Sequence, residues 1–195
     1  MKEERVYEGE VFRGLTLSGE TVRDTAFLEC EFVDCTFSGV EVRACTLRSC
    51  RFVRCRIDLP RGREMRVQEL TFEGCFLSGV HWYEFETGNR YASLFASVTD
   101  STLRYNTFSA LMLNGVDLSG LRILDCTFGE CELVESSFRE TDLTGTEFFR
   151  CNLAKADFRD AVGYRIDLMT SKVSRASFSL PDVLGLLSGL DIKIE

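Results

Sequence analysis

The chain has 195 residues, of which 45% are apolar, and its 31 acidic and 23 basic side chains give a net charge of −8. This composition predicts a folded protein rather than a disordered one, and no run approaches the roughly 20 apolar residues of a membrane span. The first ten residues lack a secretory signal, so we expect a cytoplasmic protein, and the acidic balance disfavours direct binding to nucleic acid or to an anionic membrane.

Bulky apolar residues recur every five positions in the first half of the chain. They are Phe12, Leu17, Val22, Phe27, Phe32, Phe37, Val42, Leu47, Phe52 and Ile57, followed by Val67, Phe72, Leu77 and Trp82. A helix requires apolar spacings of three and four, and a half-buried strand alternates at two, so this period fits neither. We therefore predict an all-β chain that turns a corner every five residues. One bulky and one small side chain then point inward from each pentapeptide.

The small inward position lies two residues before each bulky one, and all nine cysteines fall in it. We interpret these cysteines as packing residues, because Cys is small, apolar and often buried. A metal or redox site is the alternative, but His81 is the single histidine and belongs to an outward position. The segment 58–64 keeps the period but puts Pro60 and Gly62 in inward positions, which predicts a loosened or bulged coil.

From Tyr83 to Ser97 the period is lost, and it resumes one residue out of phase at Val98. Because a slip of one residue would turn every inward side chain outward, this segment must absorb an insertion. Four aromatic residues make it a candidate for a packed or partner-facing loop: Tyr83, Phe85, Tyr91 and Phe95. A linker without further role is the alternative.

The second stack runs from residue 98 to residue 178, with Gly163 as its one lapse. Its segments Cys151–Lys155, Ala156–Asp160 and Thr141–Gly145 resemble the A(D/N)LXX unit of pentapeptide-repeat proteins. The resemblance extends from about residue 10 to residue 178. It implies a right-handed quadrilateral parallel β-helix of about eight coils, with four pentapeptides in each coil. A side chain then lies one coil above the residue twenty positions earlier.

The chain changes character at Ser179. A hydroxyl, Pro181 and Asp182 predict the start of a short helix that caps the coils. The ending resembles that of the pentapeptide-repeat proteins that bind DNA gyrase, the Qnr, MfpA and AlbG group. In that group this segment joins two chains, so the resemblance implies a homodimer through Leu184, Leu187, Leu190, Ile192 and Ile194. We divide the chain into a β-helix of residues 1–178 (stacks 10–82 and 98–178, irregular segment 83–97) and a cap of residues 179–195, which we expect to be a helix followed by a short strand.

The twenty-residue spacing also arranges the surface charges. It predicts cross-coil ion pairs, such as Glu31 with Arg51, and it stacks like charges elsewhere, which fold stability does not favour. Arg23, Arg43 and Arg63 form one such column. In the second stack the spacing pairs Glu140 with Asp160 and Glu147 with Asp167, which together with Asp142 and Glu135 predict an acidic face.

Two functions remain open for such a chain. The acidic face and the family resemblance favour a DNA-mimicking binder of DNA gyrase or topoisomerase IV that protects the enzyme from quinolone-like drugs or a peptide toxin. The runner-up is a general protein-interaction scaffold with no gyrase activity. An enzyme is third, because the sequence offers no catalytic residues, no metal ligands and no cofactor motif.

Overall fold

The structure, a computed structural model, describes residues 5–87 and 93–189. The chain divides into two compact units, residues 1–106 and 107–195. Both are built from short parallel strands, each centred on one bulky residue of the five-residue period. The prediction of a parallel β-solenoid of about eight coils is confirmed.

In its described residues, 5–87 and 93–106, the first unit contains eighteen strands and one turn of 3-10 helix over Trp82–Glu84. The strands are β1 (Arg5–Glu8), β2 (Val11–Arg13), β3 (Thr16–Ser18), β4 (Thr21–Arg23), β5 (Thr25–Leu28), β6 (Glu31–Val33), β7 (Thr36–Ser38), β8 (Glu41–Arg43), β9 (Thr46–Arg48), β10 (Arg51–Val53), β11 (Arg56–Asp58), β12 (Arg61–Arg63), β13 (Met65–Gln68), β14 (Leu70–Glu73), β15 (Phe76–Ser78), β16 (Phe85–Glu86), β17 (Phe95–Thr99) and β18 (Thr102–Arg104).

From β1 to β11, each strand pairs in parallel with the strand four places later in the chain, as β2 does with β6. Four sheets therefore surround a lumen. One sheet runs in the order β1-β5-β9-β13-β16, another in the order β17-β14-β10-β6-β2, and a third contains β12, β8 and β4. The register places residues twenty apart side by side, as Phe12, Phe32 and Phe52 are. Their rings stack with centroids 5.0 and 4.9 Å apart, which is the strand spacing itself.

The predicted loosening at residues 58–64 is wrong. Strand β12 pairs with β8 in the unbroken register, with Gly62 beside Val42. The ring of Phe85 occupies the space that a side chain at Gly62 would need. An aromatic side chain from a later coil therefore replaces the missing inward group, and the coil keeps its path.

The phase change between the two repeats has a structural cause. Strand β16 keeps the twenty-residue register, with Phe85 beside Met65. Strand β17 then places Phe95 beside Leu70 and Ser97 beside Thr71, so the register shifts by one residue between these pairs. The single extra residue is thus accommodated by a β-bulge, which returns the following side chains to the inward direction.

The second unit contains β19 (Thr107–Ser109), β20 (Arg122–Leu124), β21 (Thr127–Gly129), β22 (Glu147–Phe149), β23 (Asp157–Phe158), β24 (Arg165–Ile166) and β25 (Ser177–Phe178). Isolated parallel bridges, such as Glu132 with Asn152, continue the same ladders between strands. The rings of Phe108, Phe128 and Phe148 stack with centroids 4.4 and 4.8 Å apart, and each is at most 1% exposed.

One coil of the second unit is shorter than the repeat predicts. Glu147 lies beside Arg165, and Phe148 beside Ile166, an offset of eighteen residues. The offset returns to twenty where Asn152 meets Lys172. The prediction that Glu147 stacks with Asp167 is therefore wrong, and Ile166 continues the inward column of Phe148.

The predicted C-terminal helix is present as a 3-10 helix over Asp182–Gly189. The carboxylate of Asp182 accepts a hydrogen bond from the N–H of Gly163 (3.1 Å). The hydroxyl of Ser179 accepts one from the N–H of Asp160 (3.1 Å), so it joins the segment to the coil below instead of capping the helix. None of the helices in the described parts of the chain is long and apolar enough to cross a membrane.

Candidate functional site

The predicted acidic residues lie on the surface of the second unit but not on one face. Glu140 and Asp160 occupy matching corners of successive coils, since the N–H of Glu140 donates to the carbonyl of Arg159 (3.1 Å). Asp142 begins the next face. Glu135 lies one corner earlier, and Glu147 begins the face after that of Asp142. The corner formed by Glu140, Asp160 and Asp142 is the part of the prediction that the fold brings together; we call it the acidic corner.

Basic residues neutralise most of these carboxylates. Lys155 Nζ lies 2.5 Å from Glu135 Oε1 and holds the pKa of that carboxyl below its usual value. Arg165 Nη1 lies 3.4 Å from Glu147 Oε1. The other two pairs, Arg122 with Asp142 (3.9 Å) and Arg139 with Glu140 (3.8 Å), are at the outer limit of an ion pair.

Asp160 and Asp167 make no ion pair with any residue in the described ranges. The carboxylate of Asp167 instead accepts hydrogen bonds from the Thr170 hydroxyl (2.7 Å) and the Met169 N–H (2.9 Å). These hydrogen bonds lower its pKa, the hydroxyl most strongly. Both carboxylates are exposed.

Residues 43–66 of the first unit contain eight arginines, and some of them pair with acids of neighbouring coils. Arg54 makes two hydrogen bonds to Asp34 (2.7 and 2.9 Å), which lower the pKa of that carboxyl. Arg51 contacts both Glu31 and Glu73. These cross-coil ion pairs offset the positive charge of Arg51 and Arg54.

The predicted column of three arginines exists. Arg23 lies beside Arg43, and Arg43 beside Arg63. Arg43 donates to Glu41 of its own strand through Nε (2.8 Å) and Nη2 (2.6 Å). This carboxylate, whose pKa the hydrogen bond to Arg43 lowers, also lies near Arg23 and Arg63. One glutamate thus screens three like charges.

The aromatic segment of the first unit is mainly core. Phe95 is buried and meets the Trp82 ring edge to face, with centroids 5.0 Å apart. Phe85 meets the same ring at 5.8 Å. Tyr83 is exposed, and its hydroxyl hydrogen-bonds to Nδ1 of His81 (2.9 Å). Tyr91 lies outside the described residues.

All nine cysteines are buried and free. Cys55 Sγ donates to the carbonyl of Phe32 (3.2 Å), and Cys75 Sγ to that of Phe52 (3.3 Å), both twenty-three residues earlier. Burial raises the pKa of the Cys50 thiol to about 11, so the thiol is a poor nucleophile at neutral pH. We call the small inward position, two residues before each bulky one, the inward slot. Its cysteines donate hydrogen bonds, whereas sequence reasoning explained them by their small size alone.

The same donor role is found in non-cysteine slot residues of the second unit. Thr141 Oγ1 donates to the carbonyl of Leu118 (2.8 Å), and Thr146 Oγ1 to that of Ile123 (2.6 Å), at the same separation of twenty-three residues. The occurrence of Cys, Thr, Ser and Asn in one sequence position could have revealed this rule. These side chains share a hydrogen-bond donor.

The predicted dimer contact is only partly described. Leu184 is exposed (49%), and Leu187 is half-buried. Leu190, Ile192 and Ile194 lie outside the described residues. Among the other exposed apolar side chains of this unit, Leu180 (75%) and Met169 (80%) are the most accessible in the described residues. Within residues 5–87 and 93–189, no group of three or more His, Cys, Asp or Glu is arranged to hold a metal ion.

The family model of pentapeptide repeats matches residues 125–162, with eight copies of the repeat. No curated protein matches the chain. HetL, a pentapeptide repeat protein involved in heterocyst differentiation regulation from the cyanobacterium Nostoc sp., aligns with a TM-score of 0.52 and 15% identity, over 92% of this chain and 90% of its own. A trypsin-treated form of QnrB1, a plasmid-mediated fluoroquinolone resistance protein, aligns with a TM-score of 0.47 and 17% identity, over 98% of both chains. The prediction of pentapeptide repeats is confirmed, and the likeness to HetL extends to the fold.

Proposed function

We propose that this pentapeptide-repeat protein is a DNA-mimicking binder of a type II topoisomerase, DNA gyrase or topoisomerase IV, that protects the enzyme from quinolone-like drugs or a peptide toxin. The observation that carries the proposal is the charge of the second unit. Residues 107–195 contain 14 acidic and 9 basic side chains, a net charge of −5. The role is binding rather than catalysis.

The acidic corner supplies the part of this charge that resembles a phosphate row. Glu140 and Asp160 are corner residues of successive coils, about 4.8 Å apart along the ladder, and both are exposed. Two like charges so close oppose folding rather than favour it. An enzyme surface that binds DNA offers positive charge, and such complementarity increases the rate of association and fixes the orientation of the partner.

A homodimer through the C-terminal segment would extend the acidic surface. The exposed Leu180 and Leu184 support this contact, because apolar side chains exposed together often belong to an interface. The dimer is part of the proposal, and sedimentation at micromolar concentration tests it. A monomer at that concentration would exclude it.

The alternative is a general interaction scaffold without gyrase activity. The ion pairs of Glu135, Glu147, Asp142 and Glu140 favour it, because they reduce the free negative charge of the surface. A scaffold needs no charge array that resembles DNA, and the repeat alone does not specify a partner.

A supercoiling assay with purified gyrase, with and without a quinolone, separates the two functions. The proposal expects inhibition of supercoiling or protection from the drug at micromolar protein, and weaker inhibition as the salt concentration rises. Neither effect at micromolar protein would reject it in favour of the scaffold.

A matched pair of double variants tests the acidic corner itself. Glu140→Gln with Asp160→Asn should raise the concentration for half-inhibition roughly fivefold, the effect of two exposed charges. The control, Glu29→Gln with Glu64→Gln, removes the same charge from left-handed corners of the first unit and should leave the assay unchanged. Equal effects of the two pairs would assign the inhibition to net charge alone.

A further inference from the structure

The lumen of the first unit contains a cavity of about 280 Å³. It extends from the first coil, at Tyr7, Phe12 and Leu17, to the coil that contains Trp82. A cavity of about 150 Å³ lined by apolar side chains is large enough to bind benzene. This one therefore has room for a larger apolar molecule.

The cavity arises from a difference in side-chain size at one column. In the first unit the bulky positions of the sheet β4-β8-β12 hold Val22, Val42 and Gly62. The four-stranded sheet of the second unit holds Phe108, Phe128 and Phe148 in its column, each at most 1% exposed. Val22 and Val42 point inward yet are not fully buried, because the space that they face is empty.

The inward residues of the two faces that flank this column are under-packed for the same reason. Leu17, Phe37, Leu47 and Ile57 occupy inward positions, and all four remain partly accessible. In the second unit the corresponding inward residues Leu133 and Leu143 have no accessible surface. Since protein interiors are normally close-packed, an empty apolar lumen of this size is costly to maintain.

The far end of the cavity is closed by aromatic side chains. Trp82 is 2% exposed, and its Nε1 donates to Asn106 Oδ1 (3.0 Å), which fixes the indole in place. Phe85 fills the space beside Gly62. Trp82 lies three coils beyond the first, so the cavity is about 14 Å deep, and its volume leaves a cross-section of about 20 Å². Such a space fits one extended alkyl chain.

The rim at the first coil is polar. Three inward positions of the first coil hold charged residues, Arg5, Glu10 and Glu20. The same positions in the second coil, twenty residues later, hold Thr25, Cys30 and Val40. Arg5 lines the cavity, and Glu10 and Glu20 occupy inward register positions of the same coil and are exposed. The rim can therefore hydrogen-bond a hydroxyl or an ester, and its net negative charge disfavours a free carboxylate.

We propose that the lumen of the first unit binds a linear alkyl or acyl chain with an uncharged polar head group, with the chain along the lumen towards Trp82 and the head group at the rim. The ligand replaces the side-chain volume that Val22 and Val42 omit, whereas Phe85 already fills the space at Gly62. Its burial then stabilises the first unit, because it binds the folded chain and not the unfolded one.

Trp82 is the single tryptophan of the chain, so its fluorescence reports occupancy directly. The probe is 12-bromododecan-1-ol, whose terminal bromine quenches indole on contact. We expect saturable quenching in the full-length protein, at probe concentrations below micelle formation. Absence of saturable quenching overturns the proposal.

Two variants show where the probe binds. Val42→Phe fills the column as Phe128 does in the second unit, and should abolish quenching. The matched control, Val11→Phe, adds the same ring at an exposed position of β2 and should leave quenching unchanged. Circular dichroism checks that both variants are folded, and equal quenching of the two places the probe elsewhere and overturns the proposal.

A chain-length series in the unmodified protein does not depend on any variant. With 1-alkanols as competitors, each added methylene should lower Kd about fourfold until the lumen is full, after which Kd should stay constant. Dodecanoate should bind more weakly than dodecan-1-ol because of Glu10 and Glu20. Affinity that rises without a plateau indicates non-specific association with apolar surface and overturns the proposal.

Discussion

The hydrogen-bonding role of the small inward slot can be tested at Thr146. Its side chain is 0% exposed, donates from Oγ1 to the carbonyl of Ile123 (2.6 Å) and accepts from the N–H of Cys126 (3.2 Å). Thr146→Val keeps the shape of the side chain and removes both hydrogen bonds. Any change in stability therefore reports hydrogen bonding rather than volume.

The magnitude follows from the two backbone groups that lose a partner. A buried donor or acceptor left unpaired costs about 1–3 kcal/mol, so we expect Thr146→Val to lower the free energy of unfolding by about 2–6 kcal/mol. Urea denaturation measures the loss as a lower midpoint at an unchanged slope.

Two further variants make the measurement specific. Thr146→Cys restores a group that can donate and accept, as Cys75 Sγ does towards Phe52 O and Cys55 N, and should lose less than about 1 kcal/mol. Thr127→Val makes the same exchange at the outward side of β21 and should change stability by less than about 0.5 kcal/mol. If Thr146→Val matched Thr127→Val, the slot would select for size alone, and the reasoning would be refuted.

Three other predictions concern titration and backbone space. Burial and the nearby Asp182 raise the pKa of Tyr164 to about 12 from its usual 10. The stability that the neutral phenol contributes is therefore complete below pH 10 and is lost as the pH rises through 12. Tyr164→Phe should flatten this part of a curve of unfolding free energy against pH. Arg54 lowers the pKa of Asp34. The stability that the ionised carboxylate contributes is therefore present above its usual pKa and is lost as the pH falls through the lowered pKa. On acidification, the urea midpoint of Asp34→Asn should fall less than that of the unmodified protein. A Cβ at Gly163 would lie 2.8 Å from the Thr144 Cα, whereas one at Gly115 would meet nothing within 4 Å, and both glycines have a positive φ. Gly163→Ala should therefore lower the thermal midpoint more than Gly115→Ala does. Equal shifts of the two midpoints would contradict the clash.

The five-residue period predicted the fold because each pentapeptide repeats one local arrangement. A bulky residue such as Phe32 fixes the inward direction of its strand, and identical spacing in the next coil fixes the register of Phe52. Neighbour-to-neighbour contacts of this kind let a short sequence pattern determine a long structure.

The pattern failed where two irregularities compensate. Around Tyr164 the coil is two residues shorter, and the offset returns to twenty before Lys172. The loss of two residues from the coil offset and their later return cancel, so the five-residue period is the same before and after this coil. The sequence therefore showed only the lapse at Gly163 and gave no sign that Arg165 lies beside Glu147. The prediction of an acidic face lost accuracy here, because Arg165 took the place of Asp167.

The cavity could not be predicted from the period either. Val22 and Val42 satisfy the apolar pattern as well as phenylalanine does, and the pattern carries no information on whether opposing side chains meet. The volume of a lumen depends on four columns at once, and the sequence reports each column separately.

The hydrogen bonds of the inward slot also impose an order on assembly. Many slot donors reach a carbonyl twenty-three residues earlier, as Cys75 reaches Phe52 and Thr146 reaches Ile123. A new coil can make these bonds only on a coil that is already in place. During synthesis, chains emerge N-terminus first, so the carbonyl acceptors of each new coil belong to a coil that has already left the ribosome. Growth from the N-terminus is therefore the folding direction in which slot donors are satisfied as soon as they appear.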